Sequence, residues 1–97
     1  MKVHELKLDE KYFNLVDTGV KTFEIRKNDR DYRVGDLLAL SRYNSELNCY
    51  KQTDSAWASQ PYKTSSVHEA DTILRKIIYM TDYEQKDGYV VLGIGKY

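Results

Sequence analysis

Within this 97-residue chain, the stretch GVKTFEIRKNDRDYRVGD (residues 19–36) gathers the side chains best suited to chemistry. Lys21, Glu24 and Arg26 fall close together, interleaved with Phe23 and Ile25. An ammonium, a carboxylate and a guanidinium at this spacing can hold one another by charge-assisted hydrogen bonds. Together they offer donors and an acceptor to a phosphate or a nucleobase edge. In an extended strand Thr22, Glu24 and Arg26 share one face, and Phe23 and Ile25 share the other. The expectation is therefore an apolar pair turned inward and a charged set turned outward. The charged face is open to two readings, a solvated surface with an ordinary ion pair worth about 0–1 kcal/mol, or one wall of a site.

Lys27, Arg30 and Arg33 follow with Tyr32 between them, and basic groups interleaved with an aromatic can grip phosphate and stack a base. Residues 21–33 hold five basic against three acidic groups, the only positive surplus in a chain whose formal charge is zero. That balance argues against a non-specific nucleic-acid coat and leaves room for a local patch. His4 and His68 are far apart and lack ligand-spaced partners, so they read as structural or surface histidines and no metal site is expected. Cys49 is the sole cysteine, which excludes an internal disulfide and a thiol cluster and fits a reducing, cytoplasmic setting. No cofactor motif is present, since Gly93 and Gly95 are followed by no helix and read as close strand packing.

The elements that must position these groups are legible in outline. VHELKL alternates as a half-buried strand with His4, Leu6 and Leu8 on one side. DEKYFNLVDTG reads as a short helix with Asp9 as N-cap and Gly19 in the left-handed position after its end. TFEIRK and LLALSRY read as strands joined by a turn-rich connection, the second with both faces at least partly covered. Residues 44–70 are a polar insertion that contains Trp57 and the only proline, with a strand pair near Leu47–Lys51. Trp57 covers a core edge or stacks on a ligand. Ser66 and Glu69 make a capping-box pattern, predicting a helical turn near 67–72 before a strand over 73–80. YVVLGIGKY is a buried last strand, too short for the ~20 residues of a membrane helix. No signal-peptide pattern opens the chain. These elements predict one α+β domain over residues 1–97, with one helix and about five or six strands in a small closed sheet.

The order HELKL, YF, GVKTFEIRKNDRDYRVGD and GYVVLGI resembles the ASCH superfamily of PUA-like domains. Within it the chain is most similar to a small bacterial and phage branch catalogued only as a domain of unknown function. GVKTFEIR matches the superfamily pattern G-x-K-x-x-E-x-R at Gly19, Lys21, Glu24 and Arg26, and the resemblance covers residues 3–43 and 75–95. It implies a PUA-like β-barrel with an N-terminal helix beside a cleft and the motif side chains directed into that cleft. It also implies binding of RNA or a nucleotide-like small molecule through Lys21, Glu24 and Arg26, with Lys27 and Arg30 on phosphate. One enzymatic branch, a metal-independent amidohydrolase of acylated cytidine, resembles G-x-K-T-x-T-x-R. Here Glu24 replaces its threonine nucleophile, so that alternative would use Lys21 and Glu24 as oxyanion stabiliser and general base. A third alternative is a protein-interaction module built around Trp57 and Tyr62.

Overall fold

The first strand and helix follow from the sequence pattern. In β1 (Val3–Asp9) His4, Leu6 and Leu8 are buried and their neighbours Val3, Glu5 and Lys7 are exposed. Asp9 then caps α1 (Glu10–Asp17), its carboxylate accepting from the Lys11 amide at 3.1 Å. Phe13 and Val16 are the buried residues of this helix. Gly19 takes φ 82° just after the helix end, a conformation glycine adopts without strain.

The computed structural model describes residues 1–53 and 62–97. The remaining elements are β2 (Phe23–Lys27), β3 (Leu37–Asn44), β4 (Cys49–Thr53), β5 (Tyr62–Ser65), β6 (Thr72–Thr81) and β7 (Tyr89–Lys96). The seven strands among the described residues belong to one sheet in the order β2-β7-β6-β3-β4-β5, with β1 paired in parallel to β3. Among the described residues the fold is α+β, mostly antiparallel, with one short helix. β3 is its hub, hydrogen-bonded to β1, β6 and β4. That explains its near-continuous apolar start, since Leu37, Leu38 and Leu40 are all buried. Helix α1 lays Phe13 and Val16 over a core that includes Leu8, Leu40, Ile77 and Leu92.

Two expectations, on sheet closure and on the faces of β2, are corrected. The sheet is not closed, because β1 and β2 do not pair. Arginine side chains span the gap instead. Arg26 Nη2 donates to the Lys7 carbonyl at 2.9 Å and Arg30 Nη1 to the Glu5 carbonyl at 3.1 Å. The helical turn expected near 67–72 is present as a single turn in which the Ser66 carbonyl accepts from the Glu69 and Ala70 amides. The strand begins directly afterwards at Thr72, where the β-branched run takes over. Finally, the faces of β2 are the reverse of those expected. Glu24 is 4% exposed, whereas Phe23 and Ile25 are 43% and 52% exposed.

The polar insertion is partly regular. β4 turns back onto the end of β3 through Tyr43–Tyr50 and Asn44–Cys49 pairs and then pairs with β5. Trp57 lies outside the described residues. Arg42, 4% exposed, ties this hairpin to the body. Its guanidinium lies between the rings of Phe13 and Tyr62, 3.9 and 4.0 Å from their centroids, and donates from Nε to Asp71 at 2.9 Å. Asp71 also accepts from the amide and hydroxyl of Thr53.

A second buried clasp joins the start of the chain to the connection before β3. Asp36 accepts from His4 Nε2 at 2.8 Å, from the Lys2 amide at 3.1 Å and from the Arg33 amide at 3.2 Å. These donors hold the Asp36 carboxyl down at about 2. His4 also packs on Tyr32, with ring centroids 4.8 Å apart. It is structural, as the sequence suggested.

Two predictions follow from the packing. Leu40→Ala should cost about 2–5 kcal/mol as a core deletion, whereas Phe23→Ala should cost about 1 kcal/mol or less because its ring keeps much of its contact with solvent. Urea unfolding of both variants measures the difference. The Asp36 pKa is lowered on folding, so the stability it confers is complete above about pH 5 and is lost as pH falls through 4 towards 2. Asp36→Asn should be less stable at neutral pH and should lose less on acidification, which urea midpoints measured from pH 7 to pH 2 will show.

Candidate ligand-binding site

The connection from α1 to β2 fixes Lys21 before any side chain is considered. Its amide donates to the Leu15 carbonyl at 2.9 Å, so the residue is pinned to the last turn of the helix. β2 then pairs with β7, placing Glu24 opposite the fully buried Leu92. A carboxylate at the edge of an apolar core is costly unless it is paired and hydrogen-bonded. Here both oxygens are engaged. Lys21 Nζ donates to Oε1 at 2.8 Å, and Arg26 Nε donates to Oε2 at 3.1 Å. Lys21 Nζ also donates to the Phe23 carbonyl at 2.6 Å. The three motif side chains thus form one cluster with two positive charges on one negative, and the carboxylate is its centre.

This pairing accounts for the reversed strand. Once Lys21 and Arg26 neutralise Glu24, the charged face can turn inward, which sends Phe23 and Ile25 to the outside. There they do not lie idle. With Tyr12 they wall a cavity of about 320 Å3 that Lys21 and Glu24 also line. Lys21 Nζ lies 4.8 Å from the Phe23 ring centroid and 5.2 Å from that of Tyr12. Two of the three ammonium hydrogens serve Glu24 and Phe23, leaving one for a ligand acceptor. Aromatic walls with a cation and a carboxylate at the floor suit a planar, polar-edged ring.

Lys27 and Arg30 are not in this cavity. They line a smaller hollow of about 160 Å3 with Leu6, Arg26, Asp29 and Tyr32. Arg26 connects the two, since it contacts Glu24 and also borders the hollow. Burial pushes the Tyr32 phenol up, against the pull of Arg26 and Arg30. Arg30 is partly committed to Glu5, while Lys27 is exposed and has no salt-bridge partner among the described residues. The sequence reading missed Tyr12, Phe23 and Ile25 as lining residues. Tyr12 belonged to an amphipathic helix pattern and the other two to an apolar strand face, and both patterns read as core.

The geometry defines a small α+β domain with an aromatic-walled cavity over a buried ion-pair cluster. The chain belongs to a family described as a domain of unknown function (DUF3850), whose model matches residues 3–94. It is also similar to a protein of Escherichia phage P2 described as an uncharacterized 12.9 kDa protein in the GpA 3′ region, 52% identical over 42 residues. That match takes in 43% of this chain and 38% of the phage protein, so the chain is matched over well under half of that relative's length. Among the described residues no helix is long and apolar enough to cross a membrane.

The burial of Glu24 changes what its replacement should do. Glu24→Gln leaves two cations around a neutral amide and should cost about 3 kcal/mol, the low end of the range for a broken buried pair, because Lys21 and Arg26 keep some solvent contact. Unfolding of Glu24→Gln beside Lys27→Ala checks this. The lysine variant should stay within about 0.5 kcal/mol of the parent as an exposed change.

Proposed function

We propose that this domain binds RNA or a nucleotide-like small molecule in the cavity above Lys21, Glu24 and Arg26, in the manner its resemblance to ASCH and PUA-like domains implies. The observation that carries this reading is the arrangement of Tyr12 and Phe23 around the Lys21 ammonium and the Glu24 carboxylate. A base stacked on either aromatic ring meets a donor and an acceptor at its edge, and base–aromatic stacking contributes about 1–3 kcal/mol per base. The cluster's surplus positive charge favours a ligand that carries phosphate. Lys27 and Arg30, on the far side of Arg26, supply contacts to the backbone of a longer ligand.

Metal-independent hydrolysis of acylated cytidine is the weaker reading. It requires Glu24 to stand in for the threonine nucleophile of that branch, and a carboxylate has no hydroxyl for the same acyl-enzyme step. The protein is expected to leave acetylated cytidine unchanged in a chromatographic time course. Turnover that is lost in Lys21→Ala would favour the enzyme. For the interaction-module reading, Tyr62 is committed to stacking on Arg42.

Short single-stranded and hairpin RNAs titrated at two salt concentrations test the binding reading. Affinity should fall by about 0.7 log units per log unit of salt for each phosphate contacted. Tyr12→Ala should weaken binding about 5-fold or more through lost stacking. Absence of binding to every RNA and nucleotide at low salt would sink the proposal.

A further inference from the structure

On the other side of Lys21 lies a third cavity, of about 220 Å3, lined by Val16, Gly19, Thr22, Arg75, Ile94, Gly95 and Lys96 as well as Lys21 itself. Arg75 and Lys96 are direct cross-strand partners in the β6–β7 ladder. Like charges placed directly opposite one another destabilise a sheet. Among the described residues no carboxylate lines this cavity, and neither Arg75 nor Lys96 is in a salt bridge. Arg75 does meet carbonyls, donating to Leu74 at 2.9 Å, Val16 at 3.1 Å and Asp17 at 3.2 Å. Those bonds satisfy the end of α1 and offset its negative dipole. They also fix the guanidinium in place while leaving two of its five N–H groups for another acceptor. The Lys96 ammonium is exposed opposite it.

We infer that this cavity is an anion subsite, and that it takes a phosphate group of the ligand whose ring occupies the aromatic cavity. This rests on the binding reading given above. Lys21 lines both cavities, so the two adjoin, and a ligand with its ring against Tyr12 and Phe23 extends its phosphate past Lys21 toward Arg75 and Lys96. The bound phosphate supplies the negative charge that the Arg75–Lys96 pair lacks. On an RNA, whose bases are flanked by phosphates on both sides, this subsite holds one neighbour while Lys27 and Arg30 hold the other.

Calorimetric titration with cytidine, its 3′- and 5′-monophosphates and inorganic pyrophosphate tests the subsite. In Lys96→Glu at least one monophosphate should lose affinity about 10-fold or more, the effect of losing one charge-assisted contact, while cytidine is unaffected. Lys63→Glu on β5 makes the same charge change elsewhere and should alter neither. Equal losses in Lys63→Glu and Lys96→Glu, or no loss in Lys96→Glu with either monophosphate, would overturn the subsite. Pyrophosphate separates this inference from the reading beneath it. If cytidine fails to bind but pyrophosphate binds the parent and not Lys96→Glu, the subsite stands and the aromatic cavity loses its role. If pyrophosphate and both monophosphates fail to bind the parent, the subsite is wrong.

Discussion

The structure turns on the carboxylate of Glu24. A charge at the margin of a small apolar core is tolerated only with full compensation, and Lys21 and Arg26 provide it from the two sides. Each then reaches beyond the cluster. Lys21 touches the Phe23 carbonyl and the cavity walls, and Arg26 extends to the carbonyl of Lys7 on the far strand. One buried acid therefore holds the Lys21 side chain, sets which face of β2 is inward, and anchors the arginine that spans the gap in the sheet.

That gap gives the domain its character. Backbone pairing between β1 and β2 would remove the open edges of those two strands, as closed sheets do. Side chains do the bridging here, through Arg26 and Arg30 onto two carbonyls of β1. The cavities flank this line: the aromatic cavity against Lys21 and Glu24, and the smaller basic hollow against Arg26 and Arg30. A closed barrel would have placed backbone where those side chains now present their charges.

Much of the fold was legible from residue pattern. The alternation around His4, Leu6 and Leu8, the Asp9 cap and the left-handed Gly19 all reflect local rules that tertiary structure left intact. The motif cluster was legible as a group, because side chains two or three residues apart must be neighbours. Its direction was not. Period-two alternation identifies two faces and is silent on which is buried, and the ordinary rule that charges face water fails where a carboxylate has two cations of its own. The clasp of His4 with Asp36 left no local signal, since its partners lie 32 residues apart. Arg75 and Lys96 were equally silent, because their apposition exists only in the β6–β7 register. The open seam depends on arginine side chains reaching backbone carbonyls 19 and 25 residues away, which no periodicity records.

The most direct measurement is a map of backbone amide shifts as cytidine monophosphate is titrated into the isotopically labelled protein. The central claim, that the ion-pair cluster and its aromatic walls form the binding site, predicts saturable shifts centred on Tyr12, Lys21, Phe23, Glu24 and Ile25. Shifts confined to the β4–β5 strands, or a spectrum unchanged at saturating nucleotide while the protein remains folded, would contradict it.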